Sequence, residues 1–329
     1  MDIMDMKRCL IAGWMVAIGL IMGVPAAWSQ SQYPSRPIRL IVPYPPGGAV
    51  DPIARTIGQK LNEAWGQPVV VDNKPGAGTI IGTEIVAKAA PDGYTVILAS
   101  SNHAVNPAMY GKLPYDPVKD FTPINLVSII PLMLVVNPQV PVKSTKELID
   151  YLKTKPGQLN FSSAGNGSTT HLAGELFKSM AGVDIVHVAY KGSGPSVAGV
   201  MAGETSVAFD SIFLQLPQVK AGKLRALAVT GTKRTSLAPE LPTVSEAGLP
   251  GYEAYAWVGF LAPAGTPREI VQKWHQEITR ILQLPEVRER QISQGVEPVG
   301  STPEYFADFI KTEISKWGKV VKQAGIKLD

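Results

Sequence analysis

The sequence predicts an α/β architecture of two lobes, each a mainly parallel sheet flanked by helices, joined by two chain crossings that act as a hinge. Three observations carry this expectation. Short β-branched strands alternate with helices that each carry an apolar stripe, the pattern of a parallel sheet covered on its faces. The alternation runs twice, with the second series starting near residue 137. The 329 residues exceed what one core usually organises, and the last helices have no third sheet of their own. They are expected to return and cover the first lobe, which gives residues 30–136 plus 257–329 as lobe 1 and 137–256 as lobe 2.

Residues 1–29 read as a secretory signal peptide: Lys7-Arg8, an apolar run from Leu10 to Val24, then small residues up to Ala27-Trp28-Ser29. Cys9, the single cysteine, lies within this leader. The remaining chain therefore offers no disulfide, thiolate or cysteine-held metal, and its histidines show no metal-ligand spacing. No later stretch reaches the ~18 apolar residues of a membrane span. The expected product is exported and soluble.

Residues 38–42 form the first predicted strand, followed by the turn Pro43-Tyr44-Pro45-Pro46-Gly47-Gly48 and a helix introduced by Asp51-Pro52. Asp suits the N-cap and Pro the first helical position. Ile53, Ile57 and Leu61 set the apolar stripe, and Gly66 is placed to stop the helix. Strand 69–71, helix 80–90 and strand 94–99 follow. Residues 121–136 read as strand and 142–154 as a helix capped by Ser144 or Thr145. The second series comprises strand 159–162, helix 168–180, strand 185–188, a helix near 195–202, and strands 207–210 and 224–229. Strand 257–262 then leads to helices 267–282, 285–294 and 303–324, the last with Phe306, Phe309, Ile310, Ile314 and Trp317 on one stripe.

Thirty-one Lys and Arg stand against 27 Asp and Glu, a formal charge of +4. The charges are scattered, and the lysines of the C-terminal helix read as a solvated face, so nucleic acid is not an expected partner. Gly76-Ala77-Gly78…Gly82 opens a helix but lacks the spacing and first-strand context of a dinucleotide fingerprint. No phosphate-binding Gly-Lys-Ser/Thr loop and no Gly-x-Ser-x-Gly elbow appears. With neither a nucleophile–base pair nor a metal cage among recognisable motifs, the chain is not expected to be an enzyme, and no cofactor is expected.

Two strand–turn–helix junctions carry the candidate site. Tyr44, Gly47, Gly48 and Asp51 make the first, Ser163, Ser168 and Thr169 the second. Helix starts favour anions, and in open parallel sheets ligands bind beyond the carboxyl ends of the strands. A carboxylate held between the two is the expected ligand. Ser168 or Thr169 can cap its helix and still contact a ligand, because a cap consumes one of four free N–H groups. Gly78 allows close backbone approach beneath the cleft. Ser101 and Asn102, after the third strand, offer short polar groups to the cleft; His103 and His171 either reach it or pack. Tyr44 and Tyr190 are candidate walls, with Lys191-Gly192-Ser193-Gly194 a flexible segment suited to closure. Asp210 either forms a turn or points inward, where it would pair with a cation, accept from a ligand amine or hydroxyl, or orient Lys191.

Six segments, in order, resemble one family. They are Tyr44-Pro45-Pro46-Gly47-Gly48…Asp51, Lys74-Pro75-Gly76-Ala77-Gly78…Gly82, Ala90-Pro91-Asp92-Gly93-Tyr94, Gly165-Asn166-Gly167-Ser168…Glu175, Tyr190-Lys191-Gly192, and Leu261-Ala262-Pro263-Ala264-Gly265-Thr266-Pro267. Together they resemble the Bug-type solute-binding receptors of tripartite tricarboxylate transporters, over about residues 33–329. The resemblance implies a periplasmic, two-lobed flytrap of the periplasmic-binding-protein kind, expected as a monomer, that delivers small organic carboxylates to separate membrane permease subunits. It also implies that the first loop and the second-lobe loop hold one ligand carboxylate, partly through ordered water. The sequence departs from the family at Val50, where a small hydroxyl residue is common, at Thr79-Ile80, where Gly and a polar residue are common, and at Ala189, where Pro is common. A sensor presenting its bound form to a signalling partner would share every cleft residue; an exported α/β enzyme is the other alternative.

Overall fold

The structure, a computed structural model, describes residues 33–47 and 50–326. The expected signal peptide with Cys9, and Gly48 of the first turn, lie outside the described residues. Residues 36–329 form one compact unit. None of the described helices is long and apolar enough to cross a membrane.

The first strands and helices follow the expected alternation. β1 (Ile38–Val42) leads to α1 (Asp51–Trp65), then come β2 (Val69–Asn73), a short 3₁₀ turn (Ala77–Thr79), α2 (Ile80–Ala87) and β3 (Thr95–Ser100). α1 buries Ile53, Ile57 and Leu61, and Gly66 ends it at φ 65, a left-handed conformation that glycine adopts without a Cβ penalty. α3 (Asn102–Met109) follows β3 directly, where only loop was expected. The long β4 (Phe121–Val136) comes next.

The second series is α4 (Thr145–Lys153), β5 (Asn160–Ser163), α5 (Thr169–Ala181), β6 (Val186–Ala189), α6 (Ser193–Ala202), β7 (Val207–Ser211), α7 (Ile212–Lys220) and β8 (Arg225–Val229). Ser144 caps α4, accepting the Glu147 N–H at 3.1 Å. α6 absorbs Ser193 and Gly194, so half of the segment 191–194 expected to be flexible is helical. The chain closes with β9 (Tyr255–Pro263), α8 (Arg268–Leu282), α9 (Pro285–Ser293), β10 (Glu297–Pro298) and α10 (Pro303–Ala324).

The sheet corrects the mainly parallel expectation. Its order is β2-β1-β3-β9-β4-β7-β5-β6, with β10 and β8 also paired to β4. β1 runs parallel to β2 and β3, and β5 parallel to β6 and β7, but β9 is antiparallel to both β3 and β4, and β4 is antiparallel to β7 and β8. Parallel flanks are thus joined by an antiparallel centre. One strand makes that centre: residues 121–131 of β4 pair with β9, and residues 132–136 pair with β7 and β8. Pro123 cannot donate to a ladder, and register shifts accompany it between Pro123 and Asn125 and again between Leu126 and Ser128.

The C-terminal helices also do more than cover the first sheet. α8 packs on α1 and β4, with Trp65 and Trp274 edge to face at 4.9 Å. α10 packs on α3 and β4 but reaches α5 as well, where Ser179 Oγ donates to Gln323 Oε1 at 2.9 Å. Phe306, Ile310 and Trp317 are buried as their stripe requires. Glu313 is buried too, paired to Lys316 and accepting the Trp317 indole N–H at 2.8 Å, so this part of the helix is not a solvated face.

Candidate functional site

A cavity of about 610 Å³ opens where the carboxyl ends of the strands meet the helix starts. Three junctions build its wall. The first loop contributes Tyr44 and Val50, the start of α3 contributes Ser101 and Asn102, and the loop from Ala164 to Thr170 contributes the opposite side. Leu132 on β4, Asp210 and Ser211 on β7, and Trp257 and Val258 on β9 close the base.

Among the residues singled out from the sequence, Tyr44, Gly78, Ser101, Asn102, Ser168, Thr169 and Asp210 line this cavity. Tyr44 donates its hydroxyl to Asn102 Oδ1 at 2.9 Å and meets Ser100 Oγ in a second, short hydrogen bond. Burial pushes the Tyr44 phenol up to about 12, against the opposing hydrogen bond from Ser100, so it remains a neutral donor at physiological pH. With its oxygen occupied, the Asn102 amide nitrogen makes no hydrogen bond among the described residues and is free to donate. Ser101 instead spends its hydroxyl accepting the Trp257 backbone N–H at 2.9 Å. That bond ties α3 to β9.

The second loop is braced from within. Ser168 Oγ accepts the His171 N–H at 3.2 Å, capping α5, and donates to Gly165 O at 2.6 Å. Gly167, at φ 73, donates its N–H to His171 Nδ1 at 3.1 Å. The amides of Thr169 and Thr170 make no hydrogen bond among the described residues, as expected of the first turn of a helix. They are donors with no protein acceptor beside a cavity, the disposition that suits an anion.

Four expected contacts lie elsewhere. Asp51 is not the N-cap of α1 but its first residue; its carboxylate is turned into the loop and receives Gly47 N–H, Arg55 and Asn73. Those partners, Arg55 foremost, hold it down at about 2. Gly47, at φ 80, gives its N–H to that brace rather than to the cavity. Ser163 is fully buried, its Oγ 2.6 Å from His187 Nε2 and accepting the Gly165 N–H at 3.1 Å. Tyr190 turns toward the far end of α6, where its hydroxyl donates to Glu204 at 3.0 Å.

The histidines pack. His103 Nε2 lies 2.8 Å from Pro117 O, its ring edge-on to Phe121, and burial pushes it down to about 4. His171 and His187 stack with ring centroids 3.7 Å apart; burial first, and for His171 the neighbouring His187 next, push them down to about 3 and about 4. Close backbone approach is the task of Gly82, where a Cβ would come within 2.8 Å of both Lys74 O and Pro43 Cβ. Gly78 sits in the wall at φ 58 against Tyr110, in a turn where Ala77 and Thr79 also adopt positive φ. Thr79, at φ 82, occupies a conformation costly for a β-branched residue.

Sequence reading missed Val105, Asn106, Met109 and Tyr110 of the wall because it did not foresee α3, and it missed Trp257 because strand periodicity does not say which face meets a cavity. The wall contains no Lys, Arg or His. Among the described residues, no group of three or more His, Cys, Asp or Glu is placed to hold a metal ion. What the arrangement offers an anion is a set of neutral N–H and O–H donors in a partly apolar recess. Such donors can hold a charged group when several converge on it.

Comparison with known proteins agrees with this architecture. Residues 53–326 match the family described as the tripartite tricarboxylate transporter family receptor. The chain is 39% identical over 328 residues to the protein BugT of Bordetella pertussis, covering 99% of this chain and 100% of that one. Rpa4515 of R. palustris, solved with adipate, superposes with a TM-score of 0.76 at 39% identity, covering 90% of this chain and all of that one. MatC of Rhodopseudomonas palustris, solved with bound malate, superposes with a TM-score of 0.71 at 34% identity, covering 88% and 100%. By sequence and by fold, the chain belongs to the receptors of the tripartite tricarboxylate transporter family.

Proposed function

We propose that this chain is a periplasmic receptor, exported by its leader, that captures a small organic carboxylate and hands it to the membrane permease of a tripartite tricarboxylate transporter. The observation that carries the reading is the cavity wall. Free donors from the α3 start and the α5 start, Asn102 Nδ2 and the Thr169 and Thr170 amides, border one recess. The adipate and malate held by two relatives are carboxylates of the size such a recess accepts.

In this reading residues 30–136 with 257–329 make one lobe and 137–256 the other, and the chain works as a monomer. The open form binds the carboxylate at the two helix starts and the closed form gains contacts from both lobes, a shift of population set by the difference in affinity. Hydrogen bonds to a charged group contribute about 1.5–3 kcal/mol each, so a handful suffices for micromolar binding once ordering costs are subtracted. No bond of the ligand is broken. The wall supplies donors and shape, and its one acid, Asp210, has no histidine or lysine beside it in the wall.

A thermal-shift panel of aliphatic and aromatic carboxylates against their amides tests the reading. A ligand at a hundred times its dissociation constant adds about 2.7 kcal/mol, a rise of a few degrees in Tm. Stabilisation by an acid and not by its fully amidated analogue is the expected result. Stabilisation by none of the acids, in protein shown to be folded and free of carried-over ligand, would overturn it.

A further inference from the structure

Two buried polar side-chain atoms without a hydrogen-bond partner belong to residues of the cavity wall: Asp210 Oδ2 and Trp257 Nε1. Asp210 is 1% exposed and stands in β7 opposite Met133 of β4. Its Oδ1 accepts the Ser211 N–H at 2.7 Å, which fixes the carboxyl orientation and leaves Oδ2 unused. With its amide nitrogen turned toward the strands, Gln215 donates to Met133 O at 2.8 Å and Asp210 O at 3.2 Å, pinning the backbone beneath. Lys191 is exposed and makes no ion pair with Asp210, and no cation lines the cavity. A buried acceptor of this kind, unpaired by the protein, is rare enough to require an explanation.

Resting on the carboxylate-receptor reading, we propose that Asp210 is the acceptor for a hydrogen-bond donor on the ligand, so that the receptor selects carboxylic acids carrying a hydroxyl, amide or ammonium group over bare dicarboxylates. The ligand carboxylate sits against the Asn102 and Thr169–Thr170 donors, and the second functional group reaches Oδ2. A plain dicarboxylate would place a second anion against an acid that has no cation to offset it. A donor-bearing acid satisfies the unused oxygen, and sites built around buried polar groups reject analogues that leave those groups unpaired. Burial raises the proton affinity of Asp210 above the ordinary carboxylate range; the hydroxyls of Ser193 and Ser196 on α6 and the Ser211 amide oppose this, but neither hydroxyl completes a hydrogen bond to Oδ2. A ligand ammonium would draw the carboxyl back into its charged form.

Calorimetric titration of the wild-type protein and Asp210→Asn with matched series of four to six carbons provides the test: the dicarboxylic acid, its monoamide and the corresponding ω-amino acid. The proposal expects the monoamide or the amino acid to bind wild type at least tenfold tighter than the diacid of equal length. It expects Asp210→Asn to erase most of the preference for the amino acid while the monoamide retains part of its affinity, since Asn keeps one acceptor. The wild-type ratio stands as a test even if the variant does not fold. Diacids binding wild type as tightly as their monoamides and amino acids, or with uptake of a proton, would overturn the assignment of Asp210 while leaving the carboxylate reading intact. Binding of none of the three classes would overturn the assignment of Asp210, and the carboxylate reading falls with it when the wider panel of acids also gives no stabilisation.

Discussion

Replacing Asp51 by Asn measures how firmly the first loop is held. The carboxylate is 4% exposed and receives four hydrogen bonds: Gly47 N–H at 3.1 Å, Arg55 Nε at 2.8 Å, Arg55 Nη2 at 3.1 Å and Asn73 Nδ2 at 2.9 Å. Arg55 first, then Asn73 and Gly47, hold its carboxyl at about 2 rather than the ordinary 3.8. That displacement corresponds to at most about 2.5 kcal/mol of stability. Because the Arg55 side chain is 53% exposed and screened by solvent, about 1–1.5 kcal/mol is the expected loss in Asp51→Asn at pH 7. The folded carboxyl is the stronger acid, so its contribution is complete above the unfolded value near 4 and is lost as pH falls toward 2. Roughly half remains at pH 3. Urea unfolding of both proteins at pH 7 and pH 3 should show the difference shrinking by about half. Equal stability at pH 7, or a difference unchanged at pH 3, would refute the electrostatic brace.

Other perturbations probe the second loop and the packing behind it. Ser168→Ala removes the α5 cap and the bond to Gly165 O; it should cost about 1–2 kcal/mol in urea unfolding and weaken carboxylate binding several-fold in calorimetry. Gly174→Ala sets a Cβ within 2.7 Å of Phe161 Cζ, a clash in the α5–β5 contact expected to cost about 1–3 kcal/mol by the same measurement. His171 and His187 titrate at about 3 and about 4 in the folded chain, below their ordinary 6.5, so the unfolded chain takes up protons first. Their contribution is therefore present above pH 6.5 and lost as pH falls from there toward 4; Tm recorded from pH 7 to 4.5 should fall, and His187→Phe should flatten the fall.

Elements with strong periodicity and clear ends were legible in the sequence. α10 has Thr302 as an N-cap, Pro303 at its start, a continuous apolar stripe and Gly325 at its end, and its range follows from those residues. α3 and α7 were not legible because each carries an internal proline, Pro107 and Pro217, which reads locally as a break. In α3 the proline falls at the sixth residue of an eight-residue helix. β4 spans the residues 121–136 read as strand, prolines included, but periodicity does not reveal that it serves both ends of the sheet, since its pairing depends on β7 and β9, more than 70 residues away in the chain.

The site divides in the same way. Strand–turn–helix junctions point to the crevice whatever their side chains do, so the loops at residues 44–51 and 163–170 were found from chain order alone. Which polar side chain faces the ligand depends on competing partners contributed by distant segments. Asp51 is claimed by Asn73, Ser163 by His187 and Tyr190 by Glu204. Asn102 stays available because Tyr44 occupies only its oxygen.

One carboxylate is expected to bridge the α3 start and the α5 start. Hydrogen exchange of the protein, with and without a stabilising acid, tests this segment by segment. Simultaneous slowing of exchange is expected at residues 101–104 and 166–171, with residues 311–323 of α10 unchanged. Slowing confined to one of the two loops, or centred on residues 311–323 instead, would contradict it.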